Sequence, residues 1–410
     1  MDCENFMRRT GDLKLIQELN RSIVLDTIRK DGPISRSEIA KRNDISPTTV
    51  TSAVNDLIRE GLVSEKGTGV SKGGRKPILL QFSPDNHFLI GISISNSKIT
   101  IAEMNLEAKI CRKEIYSIKG YFGEQVVSHL VTLTEQFLYN CKNLEFCIGI
   151  SIITQGIVDS TNGIIRFNPK LKLKNSNLKE VIERKFAIKT WLENDTNAYI
   201  LAEKNFGIFS KYENMVYITI GEGIGAGIIV NGTINRGNNG GAGEFGHTSV
   251  TREGIRCDCG NEGCIENYVC WPAIYSRILS LIARGKDSVM FELVKGDISQ
   301  ISPSTFVEAL HKGDELAFNV MEEMASYLAI GLVNVIHLYN PEIIILGGEV
   351  TNNNPFLIEK VNELVRERTL HILYEDLKIK PTSLGEEFEM FGAASVLLQD
   401  KFQFKLTNGR

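Results

Sequence analysis

The sequence predicts an α/β protein in which an N-terminal winged helix-turn-helix precedes a two-lobed, internally duplicated α/β body. Three observations predict it. Within the first eighty or so residues, two short helical segments joined by a tight turn are followed by a strand-turn-strand with a basic tip. Farther on, a strand-turn-strand opening with a later helix-strand unit occurs twice. The charge is also split. Residues 1–80 hold 14 Lys+Arg against 11 Asp+Glu, and the remainder 32 against 39. The net charge of −4 argues against nucleic-acid binding along the whole chain, whereas a basic head on an acidic body suits a head that meets phosphate.

The bulk numbers set limits. A chain of 410 residues is long enough for two or three domains. Its 42% hydrophobic and 23% charged residues are ordinary for a globular protein. No apolar run approaches the roughly 18–20 residues that cross a bilayer, so no membrane insertion is expected. The first 30 residues are charged throughout and lack an apolar signal stretch, which makes the cytoplasm the expected location. Cys3, Cys111, Cys141 and Cys147 are scattered, but Cys257, Cys259, Cys264 and Cys270 fall within 14 residues. Without an export signal, such a cluster reads as metal ligands before disulfides.

In the head, Ile23, Val24, Thr27 and Ile28 have helical spacing over Asn20–Asp31, and Gly32-Pro33 stops the helix. Ser35-Arg36-Ser37-Glu38 is a capping box that opens a second helix ending near Asn43. Ser46 caps the third, with Pro47 in its first turn and Val50, Val54, Leu57 and Ile58 as its apolar face. Thr48, Thr49, Ser52 and Asn55 lie off that face. With Ser46 and Pro47, they are where a recognition helix reaches base edges. Leu62–Lys66 and Pro77–Phe82 read as strands, with a turn at Gly67-Thr68-Gly69. The basic tip between them, with Lys72, Arg75 and Lys76, suits phosphates or a minor groove. The alternative for such a module is a protein partner.

In the body, the strand from His87, a turn at Ser95–Ser97, and strands through Ser117 precede helix Glu124–Asn140 and the buried strand Phe146–Ile152. The arrangement returns as strand Met215–Ile220, a glycine-rich turn Gly221–Gly227, strand Ile228–Val230, helix Asp314–Tyr339 and strand Ile343–Leu346. That is the pattern of a duplicated α/β fold with a cleft between lobes.

On these residues the body resembles the ROK family of sugar kinases and repressors, built on the actin-like (ribonuclease-H-like) fold. With the head attached, it is similar to the family's xylose-repressor and N-acetylglucosamine-repressor branch. The resemblance covers nearly the whole chain and implies three units. These are the head over 1–82, a first lobe over 85–198 completed by a C-terminal helix over 386–402, and a second lobe over 199–385.

The resemblance also assigns residues. His247, followed after nine residues by Cys257-x-Cys259 and then Cys264, has the ligand set and order of the family's zinc motif. Four N/S ligands suit a closed, structural tetrahedral Zn²⁺. Cys270, outside the motif, is expected in the core. Asn194 and Asp195 would bind ring hydroxyls, with Asp195 the general base in a kinase. Glu244 would accept from a sugar hydroxyl. His247 would offer its second nitrogen to the anomeric end, and Glu266 would close the pocket, the zinc holding these acceptors in place. Gln155 stands where the family usually has proline, in a loop bordering the sugar.

The phosphate machinery departs from the family kinases. Their first loop, Asp-x-Gly-x-Thr, is here Ser93-Ile94-Ser95-Asn96-Ser97, which lacks both the acid and the glycine. Glu222 replaces a threonine in the second loop, and Gly347-Gly348-Glu349 keeps part of the adenosine-site glycine run. No ATP or Mg²⁺ is therefore expected, and no catalytic residue. The expected function is a sugar-responsive repressor of a carbohydrate-utilisation operon. It would be a homodimer or homotetramer on an inverted-repeat operator, with a sugar or sugar phosphate as effector. The alternatives are an ATP-dependent sugar kinase with an added head, a regulator controlled by docking to a sugar transporter, and a zinc-responsive switch.

Overall fold

The computed structural model describes residues 13–69 and 76–402. Cys3, and Lys72 and Arg75 of the wing tip, lie outside them. The head contains α1 (Leu13–Asp31), β1 (Ile34–Ser35), α2 (Arg36–Asn43), α3 (Pro47–Arg59), β2 (Val63–Thr68) and β3 (Ile78–Phe82). The expected capping box is formed: the Ser35 hydroxyl accepts from the Glu38 amide at 3.3 Å, and the Glu38 carboxylate accepts from the Ser35 amide at 3.0 Å. Asp44, in the left-handed region at φ 52°, ends α2. Ser46 caps α3 by accepting from the Thr49 amide at 3.2 Å, and Val50, Ala53, Val54 and Leu57 are buried beneath it.

Two details of the head differ from expectation. Two-residue β1 adds a third strand, in the order β1-β3-β2. The turn expected at Gly67–Gly69 starts later, because Thr68 still pairs with Ile78 after a register shift beyond Glu65. A bulge absorbs the extra residue and keeps the wing hairpin going.

The first lobe runs through β4 (Phe88–Ile94), β5 (Lys98–Asn105), β6 (Ile110–Ser117), α4 (Glu124–Tyr139), β7 (Cys147–Thr154), β8 (Ile157–Asp159), β9 (Ile164–Asn168), β10 (Leu173–Ser176), α5 (Leu178–Phe186) and β11 (Thr190–Asn194), and leads into α6 (Asp195–Asn205). The second runs through β12 (Met215–Ile220), β13 (Ile224–Val230), β14 (Thr233–Ile234), α7 (Glu266–Val269), α8 (Trp271–Ala283), α9 (Val289–Leu293), α10 (Pro303–His311), α11 (Glu315–Tyr339), β15 (Ile343–Gly347), α12 (Pro355–Arg368), α13 (His371–Tyr374) and β16 (Lys378–Pro381). Last comes α14 (Phe388–Phe402).

The two five-stranded sheets have the same topology, β6-β5-β4-β7-β11 and β14-β13-β12-β15-β16. In each, the opening three strands form an antiparallel meander, and the last two join the first in parallel. The duplication read from the sequence is thus a repeated strand order. α11 is long and apolar enough to cross a membrane by composition, but 12 of its residues are buried, 11 of them in the second lobe's core.

β13 corrects one reading. It starts at Ile224, so the turn is confined to Gly221–Gly223, and Gly225 and Gly227 are strand residues. They are small because α6 crosses β13: a Cβ on Gly227 would lie 2.3 Å from the Thr196 carbonyl oxygen, and one on Gly225 would lie 3.1 Å from the Thr196 methyl.

α6 and α14 cross the middle of the molecule. Asp195 through Glu203 are buried without exception, and α6 packs on β12 and β13 on one side and on α14 on the other. α14 also lies on β4 and β7. Its far end meets the head, where the Ser22 hydroxyl donates to the Phe402 carbonyl at 2.7 Å. Val24, Leu57 and Leu80 of the head share one apolar cluster with Leu89 and Met104 of the first lobe and with Leu397 and Phe402 of α14. His87 Nε2 and the Asn86 amide hold the carbonyls of Glu60 and Gly61 at 2.8 and 2.9 Å. Head and first lobe therefore have a continuous core, with no loose tether between them.

Because Leu397 is wholly buried in that shared cluster, Leu397→Ala should cost about 2–5 kcal/mol. Calorimetry should show head and first lobe melting in one transition, moved down together. Separate transitions for head and body would contradict the shared core.

Candidate functional site

His247, Cys257, Cys259 and Cys264 form a four-cornered cage. Their donor atoms all lie within 4.8 Å of one another. Cys259 and Cys264 sulfurs are 3.7 Å apart, and Cys257 Sγ is 3.7 Å from His247 Nδ1. A tetrahedron with bonds of about 2.3 Å to sulfur has edges near 3.7–3.8 Å, whereas a disulfide needs about 2.05 Å. The donor set therefore fits a tetrahedral zinc-type ion. Burial raises the Cys264 thiol to about 12, so its thiolate requires a cation beside it. Tight backbone turns build the cage. The Cys257 amide donates to the Asn261 carbonyl at 2.8 Å, the Gly260 amide to the Cys257 carbonyl at 2.9 Å, and Gly260 has φ 96°. Cys270 is buried outside it, at the start of α8.

The cage aims His247 in two directions. With Nδ1 among the sulfurs, Nε2 lies 3.8 Å from a Glu244 oxygen, across the 3₁₀ turn Phe245–His247. Glu266, the first residue of α7, lies near the same turn: a Cβ on Gly246 or Gly223 would come within 3.2 or 3.5 Å of its carboxylate. Burial and neighbouring Glu266 raise the Glu244 carboxyl, against the opposing pull of His247.

Asp195 faces this group from the first lobe, at the carboxyl end of β11. Its side chain accepts from the Thr196 amide at 2.8 Å. Burial, with smaller contributions from Glu389 and Glu244, raises its carboxyl to about 7. Near neutrality it can accept from a hydroxyl or donate to one. Asn194 is committed differently. Its oxygen caps α6, accepting from the Asn197 amide at 3.1 Å and the Thr196 hydroxyl at 2.6 Å, while its amide donates to the Gly156 carbonyl at 3.0 Å. It thus pins the loop holding Gln155 to the start of α6, with one amide hydrogen left over. Glu193, wholly buried, accepts from the Asn194 amide, Asn197 Nδ2 and Arg236 of the second lobe at 3.0, 3.2 and 2.7 Å.

The two hairpin turns meet across the cleft. The Ser97 hydroxyl donates to Glu222 Oε1 at 2.8 Å, joining the β4–β5 turn to the β12–β13 turn. Glu222 Oε2 is buried with no partner. Lys98 lies 3.4 Å from Glu389, and Glu349 faces Lys98, Glu222 and Glu389. Sequence reading missed Lys98, Arg236 and Glu389, because their partners are distant in the chain and no local motif marks them.

On the head, Ser46, Pro47, Thr48, Ser52, Asn55 and Lys76 are exposed, and Thr49 is partly so. Thr48, Ser52 and Asn55, at i, i+4 and i+7, form one solvent-facing stripe on α3. The Ser46 hydroxyl is taken by the cap and lies 2.9 Å from the Thr48 hydroxyl.

Asp195 gives a pH test. Folded, it keeps its proton up to about pH 7, whereas an unfolded aspartate releases it near 3.9. The folded state therefore binds more protons between these values, and stability falls as pH rises through that window. Asp195→Asn removes this loss. Thermal melts should show the variant gaining a few degrees over the parent at pH 8 but not at pH 4. An equal difference at both pH values would contradict it.

The comparisons with known proteins agree with this anatomy. The ROK family model matches residues 89–400, and a winged helix-turn-helix DNA-binding model matches residues 20–64. A xylose repressor from Caldicellulosiruptor bescii is 32% identical over 96% of this chain and 99% of its own. The crystal structure of a ROK family transcriptional regulator, a homologue of the Escherichia coli MLC protein, superposes with a TM-score of 0.82 at 29% identity, over 96% of this chain and all of that one. A ROK family glucokinase from Streptomyces griseus, solved with glucose and AMPPNP, gives a TM-score of 0.68 at 25% identity over 75% of this chain and 98% of its own, leaving a quarter of this chain unmatched. With its body matched along nearly its full length and a DNA-binding model matched to the residues ahead of it, the chain belongs to the ROK family, on the side that carries a winged helix-turn-helix head.

Proposed function

We propose that the protein is a cytoplasmic, sugar-responsive transcriptional repressor. The head, through Ser46–Thr49, Ser52, Asn55 and the basic wing, binds operator DNA, and two copies on one inverted repeat match the symmetry such heads use. The cleft between Asp195 and the Glu244, His247 and Glu266 group holds the effector, and Asn194 shapes its floor. Xylose is the first candidate, from the relative in Caldicellulosiruptor bescii. Zinc, when bound by His247, Cys257, Cys259 and Cys264, supplies a fixed charge that holds the thiolates and orients His247.

The observation that carries this reading is the hydrogen bond between Ser97 and Glu222. Where a kinase on this scaffold admits a triphosphate, a carboxylate bridges the lobes, and like charge opposes nucleotide. α14 supplies the route of signalling. Glu389 in its first turn acts on Asp195, and Phe402 at its end accepts from Ser22 of the head. A sugar that binds one lobe spacing better than the other shifts α14, and so the head, by its differential affinity.

One observation favours a kinase instead: Asp195, raised to about 7, has the basicity of a general base. A coupled ADP-release assay over pentoses and hexoses separates the two, since turnover of several per second would displace the repressor reading.

The direct test is fluorescence anisotropy of labelled operator titrated with sugars. The effector should weaken operator binding about tenfold or more. Asp195→Ala should keep operator affinity and lose the response. A response to no sugar, together with an unchanged variant, would remove the cleft from the mechanism. Elemental analysis should find about one zinc per chain, lost in Cys259→Ser. Metal-free protein with full sugar response would reject the orienting role of zinc.

A further inference from the structure

We infer that the ion pair between Arg236 and Glu193 is a clasp that favours the lobe spacing seen here, and that Arg236 thereby sets the protein's sensitivity to its effector, the second half of which rests on the sugar-sensing reading above. Glu193 lies near the end of β11 in the first lobe, and Arg236 lies two residues after β14 in the second. The two oxygens of Glu193 have different partners. Oε1 accepts from the Asn194 amide and Asn197 Nδ2 at 3.0 and 3.2 Å. Oε2 accepts from Arg236 Nε and Nη2, both at 2.7 Å, and no other donor to it is found among the described residues. Exposure is unequal as well: the Glu193 side chain is 1% exposed and that of Arg236 38%. If the lobes part, the guanidinium meets water, whereas Oε2 loses its partners where little water reaches. That is the costly half of a broken buried pair.

Arg236 belongs to a short loop that presses on the first lobe at a second point. The Ala242 amide donates to the Arg236 carbonyl at 3.2 Å, which closes the loop on itself. Gly240, at φ 82°, comes so near β8 that a Cβ there would lie 2.0 Å from the Val158 carbonyl oxygen. The far end of the loop is tied to β13, where the Ala226 amide donates to the Gly243 carbonyl at 2.9 Å. Glu244 follows Gly243, as Asn194 and Asp195 follow Glu193. The clasp thus joins the stretch ahead of one half of the cleft's polar group to the stretch ahead of the other. Lys170 and Asp258 also reach across, at 3.7 Å, but their side chains are 50% and 88% exposed, and water competes for such a pair.

At the clasped spacing Asp195 and Glu244 are close enough to act on one another. A sugar held from both sides binds best there. Without Arg236 the contacts it makes are unchanged, but the competent spacing is populated less, and apparent affinity falls by that fraction. Arg236 is therefore a positioning residue that acts through Glu193. The head contains none of these groups, so operator affinity in the absence of sugar should stay close to the parent's.

The test compares the full-length, zinc-loaded parent with Arg236→Ala and Arg236→Lys. Calorimetric titration with xylose, glucose and N-acetylglucosamine reads sugar affinity, anisotropy reads operator affinity, and small-angle X-ray scattering reads lobe spacing. Arg236→Ala should bind the parent's preferred sugar about tenfold more weakly, keep operator affinity within about twofold, and scatter with a larger radius of gyration that saturating sugar brings back. Arg236→Lys, which keeps the charge, should fall between the two. Sugar affinity and scattering like the parent's in Arg236→Ala, even with a lower melting temperature, would make the pair merely structural and overturn the clasp. Loss of operator binding in step with sugar binding would overturn it as well, since Arg236 would then support the whole fold. If no sugar binds the parent, the sensing reading falls, and the scattering alone decides the clasp.

Discussion

The close contact of α14 with α6 is the constraint on which the rest of the molecule depends. At Gly392, a side chain would meet Ala198 and Tyr199 at 3.2–3.3 Å, and Ala393 and Ala394 are wholly buried beside it. Small residues let the two backbones approach, and α6 is accordingly buried on every face. Its ends are tied to different lobes. Asn194 fastens the start to the Gly156 loop. At the far end the buried Glu203 accepts from Thr382 Oγ1, Ser383 Oγ and the Ser383 amide at 2.6, 2.6 and 2.7 Å. A carboxylate removed from water is costly unless it is saturated in this way. The helix pair thus couples the two lobes to each other, and through α14 to the head.

A second close contact, of α6 on β13, explains two glycines that the sequence offers as part of a turn. Gly225 and Gly227 lie under Thr196, where any side chain would push α6 away. Gly348, with φ 97°, passes against the backbone of Ile220. Packing of the lobes, and not a ligand, accounts for these positions. The tips of the two hairpins are joined by a different contact, the hydrogen bond from Ser97 to Glu222.

Features encoded within a few residues were legible in the sequence: the Ser35–Glu38 capping box, the Ser46-Pro47 helix start, and the cage of His247 with three cysteines. Their physics is local, since a cap or a chelate loop closes on its own neighbours. The repeated sheet order was legible as a recurring sequence of elements. Pairings across the cleft were not. Ser97 and Glu222 are 125 residues apart, and Glu193 and Arg236 are 43 apart. No periodicity marks either pair. β13 was read too short because glycine in an isolated segment signals a turn, whereas here it answers to a helix crossing from elsewhere. Asn194 shows a subtler limit. Asparagine ahead of an acidic first turn suits both a helix cap and a sugar contact, and the structure shows it largely occupied as the cap.

The shared core between head and first lobe bears on how such proteins can be recombined. Heads that ride on slack linkers can be exchanged like interchangeable tools. Here the seat of the head is made partly by the final turns of α14, some 380 residues downstream of the serine they hold. A chimera that swapped only the amino-terminal segment would bring a foreign hydrophobic surface onto Leu397 and Phe402. Changing which DNA sequence is read, by grafting, therefore requires moving two distant stretches of chain together, and a lineage that diverges at one must drift in step at the other.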